Sequence, residues 1–294
     1  MPLTAELVGL QSAPVRRTWE ERDAIIYALG VGAGAVDPTG CELEYTTENS
    51  LGVPQRVLPT FGTVIGASAL PMSALGDIDL TRAVHGDQVI TLYGRLPTSG
   101  SVDVVTSVGG IHDKGSGALV LLESTICDVE SKSVLMTTTM GLFLRGAGGF
   151  GGPKRTAVDA DGELASEPTP NREADQVISY STRTDQALLY RMSGDRNPLH
   201  ADPVFAKLAG FDRPILHGLC TLGFAGRALL HSLCSSDPEL FGSMRARFTH
   251  PTIPGDTLTT SIWVVSDAQP GAFRFRTENQ HGDVVIDSGL FRTA

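Results

Sequence analysis

The chain is short of the features that mark several whole classes of protein. Its four cysteines, Cys41, Cys127, Cys220 and Cys234, are scattered and form no Cys-x-x-Cys pair. Nothing therefore suggests a disulfide scaffold or a zinc site, and a reducing compartment is expected. No run reaches the roughly 18 apolar residues of a membrane-spanning helix. Residues 1–12 lack the basic start and long apolar core of a secretory leader, and the final Arg-Thr-Ala is no peroxisomal tripeptide, so the expected location is the cytoplasm. Basic charge is also short: 23 Lys+Arg stand against 33 Asp+Glu, a formal −10. That balance argues against nonspecific nucleic-acid or anionic-membrane binding, although a local basic patch can still take an anionic ligand. The glycines of 30–34 follow a helical stretch instead of joining a strand to a helix, and the run 145–155 lacks the Gly-Lys-Ser/Thr ending of a phosphate loop. His85, His112, His231, His250 and His281 show no metal-ligand spacing and read as structural or solvent-exposed.

What is present is an ordinary globular composition, 41% hydrophobic and 19% charged, with material enough for one large domain or two of usual size. Thr18-Trp19-Glu20-Glu21 has the form of a capping box, and Ala24, Ile25, Ala28 and Leu29 continue it as an amphipathic helix ending at Gly30. Residues 58–70 predict a buried apolar helix whose Gly62, Gly66 and Ala67 allow close packing. Strands follow at 78–84, 88–95, 102–108, 118–128 and 134–144, rich in branched residues and divided by turn formers. Residues 145–176 read as a linker. The pattern then recurs: a strand at 176–180, a helix at 182–192 carrying Tyr190, a short helix from Asp202-Pro203 to Gly210, a longer one at 216–233, and strands near 244–249, 257–265, 273–277 and 283–291. Three anchors fall at similar offsets in the two halves: Tyr27 and Tyr190, Pro59 and Pro214, Gly86-Asp87 and Gly255-Asp256. A duplicated α+β unit accounts for them.

The densest chemistry lies at Tyr190-Arg191-Met192-Ser193-Gly194-Asp195-Arg196-Asn197-Pro198-Leu199-His200. Gly194 is a natural helix stop, and Pro198 pushes Asn197 out of the helical region. Asp195 to His200 thus form an overhanging turn between two helices. Such a turn holds a carboxylate, an amide and an imidazole rigidly, as acid–base catalysis requires.

This run, with Arg213-Pro214-Ile215-Leu216-His217-Gly218-Leu219 after it, closely resembles the signature of the 2-enoyl-CoA hydratase 2, or MaoC-like, family. The resemblance covers nearly the whole chain. It implies a double hotdog, two central helices each wrapped by a curved antiparallel sheet, with an N-terminal repeat at 1–152, a linker at 153–175 and a C-terminal repeat at 176–294. It also implies reversible addition of water to a trans-2-enoyl-CoA, giving the (R)-3-hydroxyacyl-CoA, with no cofactor or metal, and pairing of chains as a homodimer. Only the second half carries the catalytic turn; after Tyr27 the first half has Gly32-Ala33-Gly34-Ala35. One active site per chain is expected, with the first half enclosing the acyl tail.

In that reaction water loses a proton as it attacks C3, C2 gains one, and charge builds on the thioester oxygen. Asp195 and His200 are the candidates to hold the water and exchange protons, and Asn197 to orient it. Gly218 is the candidate to offer a backbone N–H to the oxyanion, although a glycine at a helix start also suits tight packing. By resemblance, Tyr190 and His217 line the pocket, and Tyr27 and Glu48 approach it from the first half; Tyr27 also suits a core aromatic and Glu48 an exposed loop acid. Lys114, Arg145, Lys154, Arg155, Arg196 and Arg213 are candidates to meet the coenzyme A phosphates, each also compatible with a solvated surface. A noncatalytic acyl-thioester-binding or partner subunit is the alternative, and the intact Asp195, Asn197, His200 and Gly218 set speaks against it. A dehydratase of lipid synthesis or sterol side-chain breakdown would use the same residues.

Overall fold

The computed structural model describes residues 5–76, 78, 82–151, 169–265 and 270–294. The first half runs β1 (Val15–Trp19), α1 (Glu21–Gly30), α2 (Leu43–Thr46), α3 (Gly62–Ile65), β2 (Ala83–Leu92), β3 (Gly100–Asp113), β4 (Gly117–Asp128) and β5 (Val134–Arg145). The second runs β6 (Gln176–Ser181), α4 (Gln186–Tyr190), α5 (Pro203–Leu208), α6 (Gly218–Leu233), β7 (Phe241–Phe248), β8 (Thr257–Val264), β9 (Ala272–Glu278) and β10 (Val284–Thr293). Alternate burial along β3 shows why its Val102, Val104 and Val108 make a strand: one face is covered and the other faces out.

All ten strands join one antiparallel sheet in the order β1-β3-β4-β5-β2-β7-β10-β9-β8-β6. Read inward from either edge, the order is the same: first, third, fourth, fifth and second strand of that half. The halves meet at β2 and β7, where Gln88 lies opposite Ala246 and Ile90 opposite Met244. This is a double hotdog with an approximate twofold at the β2–β7 seam.

The sheet wraps α6, which is buried all round from Cys220 to Leu230, as a helix apolar on every face must be. Two glycines bring the first half close to it. A Cβ on Gly223 would stand 2.4 Å from Val31 Cγ1, and one on Gly226 2.5 Å from Thr60 Cγ2. Arg227 adds a polar tie, donating from Nε to Glu42 Oε1 at 2.8 Å and from Nη1 to the Val31 carbonyl at 3.0 Å. His231 Nε2 also meets Glu42 Oε1 at 2.8 Å. Burial alone would raise the Glu42 carboxyl, but these partners and the Gly34 N–H outweigh it and hold the group at about 2.

Several elements differ from the sequence-based expectation. Thr18 lies on β1, paired with Ser101, and the helix is instead capped by the Asp23 carboxylate accepting the Glu20 N–H at 2.9 Å. The helix expected at 58–70 is a 3-10 turn, Pro59–Phe61, followed by one turn that ends at Ile65. The Arg17 guanidinium reaches across from β1 to donate to the Val64, Ile65 and Ser68 carbonyls, and Thr138 donates to the Gly66 carbonyl. Competing donors thus take the acceptors that further helical turns would need. Strand β2 begins only at Ala83, with residues 77 and 79–81 outside the described set. The helix expected at 182–192 is confined to Gln186–Tyr190 and a following 3-10 turn, and Thr182 donates instead to the Asp256 carbonyl. Gly86-Asp87 belongs to β2 whereas Gly255-Asp256 precedes β8, so this third anchor is not a topological equivalence.

Candidate active site

The overhang is built as a nested series of turns. The α4 helix passes into a 3-10 turn, Arg191–Ser193, that stops at Gly194, whose φ of 124° suits glycine. Asp195 Oδ1 then accepts the Asn197 N–H at 3.0 Å, and Asn197 Oδ1 accepts the Leu199 N–H at 3.0 Å, capping the 3-10 turn Pro198–His200. Asp202 caps α5 through the Val204 N–H. Asn197 therefore spends its carbonyl oxygen on the backbone and keeps its amide N–H groups for other partners.

His200 is buried, with Nδ1 2.9 Å from the Ile215 carbonyl oxygen. A carbonyl only accepts, so Nδ1 carries the proton and Nε2 is the acceptor of the neutral ring. Burial lowers the His200 pKa, against the opposing pull of the Ile215 carbonyl and the Asp195 charge. His217 stacks on His200 with ring centroids 3.8 Å apart, and its Nε2 donates to the Asp195 backbone carbonyl at 3.2 Å. Burial, and then the neighbouring His200, push His217 down to about 4. Reactive nitrogen or oxygen atoms of Asp195, His200 and His217 all lie within 4.8 Å of one another. These donor types could also hold a divalent cation.

The stack continues inward: the Tyr190 ring lies 4.9 Å from His217, Tyr27 6.0 Å from Tyr190, and Phe61 5.3 Å from Tyr27. Tyr27, Tyr190 and His217 are at most 2% exposed and pack as a wall behind His200. Glu48 is exposed after α2 and has no hydrogen bond or ion pair to the site among the described residues. Glu42, whose side chain is only 10% exposed, is the first-half acid held by α6. Sequence reading missed it and its partner His231 because they lie 189 positions apart.

Gly218 opens α6, with His217 as its N-cap. Its N–H is one of the donors that a helix leaves unpaired at its start, and the helix dipole favours negative charge there. A Cβ at Gly218 would meet the Phe248 ring at 3.5 Å, an ordinary contact, so packing does not demand glycine. Of the candidate cations, Lys114, Arg145, Arg196 and Arg213 are exposed and make no ion pair among the described residues. Lys114 and Arg145 share one end of the first-half sheet, where the Lys114 N–H bonds the Gly117 carbonyl and Gly117 pairs with Arg145. Lys154 and Arg155 lie outside the described residues. The nearby glycine run is tied to Asp113, whose carboxylate accepts the Gly115, Gly149 and Gly151 N–H groups at 2.8–2.9 Å. No helix among the described residues is long and apolar enough to cross a membrane.

Two family descriptions match the chain: the MFE-2 hydratase 2 N-terminal domain over residues 18–146 and the MaoC like domain over 165–283. The chain is 45% identical over 298 aligned positions to 3-hydroxyacyl-thioester dehydratase Y of Mycobacterium tuberculosis, covering 98% of each protein. It is 40% identical to the peroxisomal enoyl-CoA hydratase 2 of Arabidopsis thaliana, covering 85% of this chain and 83% of that one. Among solved structures, a MaoC-like dehydratase from Phytophthora capsici superposes with a TM-score of 0.84 at 28% identity, over 100% of this chain and 98% of the other. With both halves matched in order and the overhang in place, the chain belongs to the MaoC-like, hydratase 2 family of hydro-lyases.

Proposed function

We propose that the protein is an (R)-specific 2-enoyl-CoA hydratase, working reversibly as a 3-hydroxyacyl-thioester dehydratase. The observation that carries this reading is the pair of acceptors at the overhang, the Asp195 carboxylate and His200 Nε2, beside the start of buried α6. A water donating one O–H to each acceptor would have its lone pair directed at C3 of a bound enoyl thioester. As the C3–O bond forms, the water proton passes to one of the pair, which then delivers that proton to C2, while the Gly218 N–H meets the charge on the thioester oxygen. The chemistry calls for no metal or cofactor; coenzyme A arrives as part of the substrate. Relatives named for enoyl-CoA hydration and for 3-hydroxyacyl-thioester dehydration support the two directions of one reaction.

The acyl tail has room in the first half. A cavity of about 320 Å³ opens between β1, α1 and the stunted α3; its apolar lining is Trp19, Ile26, Phe61, Val64 and Ile65, with Arg17, Thr18 and Asp23 as polar lining, and it reaches Met192 and Ser193 just upstream of Asp195. Its size falls within the usual range of small-molecule pockets, ~300–1,000 Å³. Long or bulky acyl groups are the expected substrates of this space.

The test is hydration of crotonyl-CoA and of a longer trans-2-enoyl-CoA, followed by loss of enoyl absorbance, with chiral analysis of the product. Asp195→Asn and His200→Ala are each expected to lower turnover by about 10²–10⁴-fold, the usual worth of a positioned acid–base group. Undiminished rates in both variants would remove the assignment. Wild-type protein that binds thioesters without turning them over would favour the binding-subunit alternative.

A further inference from the structure

His85 breaks the division of labour between a catalytic second half and an acyl-binding first half. It stands near the start of β2, at the seam with β7, and its ring meets Phe248 edge-on with centroids 5.0 Å apart. Phe248 in turn is the side chain that a Cβ on Gly218 would touch at 3.5 Å. One aromatic ring thus separates a first-half imidazole from the helix start offered to the oxyanion. His85 Nε2 lies 3.1 Å from the Asp87 carbonyl oxygen, which only accepts. The proton is therefore on Nε2 and Nδ1 is the acceptor of the neutral ring, with the Gln88 side chain the other hydrogen-bonding group beside the imidazole. Burial keeps the ring neutral, lowering its pKa to about 4 against the pull of the Asp87 carbonyl, Gln88 and the charges of Asp87 and Asp195.

We propose that His85 is a substrate-binding residue contributed by the first half, accepting at Nδ1 an amide N–H of the pantetheine arm that carries the thioester. The proposal rests on the site being that of a thioester hydratase. A neutral acceptor beside an apolar ring suits an uncharged amide, whereas a phosphate would call for a cation. The arm leaves the sulfur beside the thioester carbon, so a group next to Phe248 meets it before the phosphates begin. Holding the arm there seats the carbonyl against Gly218.

Two thioesters separate this role from a structural one: crotonyl-CoA, and S-ethyl thiocrotonate, which has no amide. His85→Phe keeps an aromatic ring and removes the acceptor, and His85→Asn restores an acceptor near the Nδ1 position. For crotonyl-CoA, His85→Phe is expected to raise KM about three- to tenfold, the worth of one hydrogen bond, with kcat within about threefold of wild type. His85→Asn should recover most of the loss, and S-ethyl thiocrotonate should be hydrated equally by all three proteins. Equal losses on both thioesters, or an unchanged KM for crotonyl-CoA in folded His85→Phe, would overturn the proposal. If wild-type protein hydrates neither thioester, the hydratase reading fails, and calorimetric titration with crotonyl-CoA decides the role of His85. A Kd raised by a similar factor in His85→Phe sustains it; an unchanged Kd, or no binding by wild type, overturns it.

Discussion

Hydrogen-bond direction gives each side chain at the overhang its work. The Ile215 carbonyl fixes the His200 tautomer, and the Asp195 carbonyl fixes that of His217. Since the two rings stack at 3.8 Å, protonating one disfavours protonating the other. A pH dependence of stability follows. His217 binds its proton at about 6.5 when unfolded but at about 4 when folded, so between these values the unfolded chain holds more protons and stability falls as the pH is lowered. Urea midpoints should drop from pH 6.5 toward pH 4, with a smaller drop in His217→Gln; identical slopes would show that His217 is not responsible. The motif residues were legible in the sequence because Asp195, Asn197 and His200 lie within one turn. His85 was not, because its relation to Phe248 spans 163 positions and depends on strand register, which spacing along the chain does not reveal.

Among the elements, α6 is the least tolerant. Its buried face accepts Val31 and Thr60 only because positions 223 and 226 are glycine. Gly223→Ala is expected to destabilise the fold by about 1–3 kcal/mol, the common result of overpacking, in spite of alanine's higher helix propensity. Chemical denaturation measures this directly, and a stabilised variant would mean that Val31 yields freely. That α6 is a long apolar helix was readable from its composition. That α3 is a single turn was not, because after Pro59, which suits a first helical turn, the apolar run 58–70 contains no breaker except its glycines. What stops it is Arg17, from a strand hidden in what reads as a helix cap.

Across the whole molecule, two repeats were visible in the alternation of helical and β-rich stretches, whereas the seam was not. Pairing of β2 with β7 joins residues such as Ile90 and Met244 that no local pattern links. The same lack of local signal explains why Gly86-Asp87 and Gly255-Asp256 resemble each other in sequence yet occupy different places in the topology. The seam also governs how the catalyst behaves on dilution. Because β2 and β7 belong to one polypeptide, the wall that His85 and Phe248 share is assembled within the molecule, at an effective concentration no dilution can lower. Activity per molecule should therefore stay constant as the protein is diluted into the low nanomolar range, whatever larger assembly forms at high concentration, and a progressive loss would show that a second chain completes the site. A tandem chain of this kind exchanges the mass-action control of a two-part enzyme for a unit that is complete as soon as it has folded.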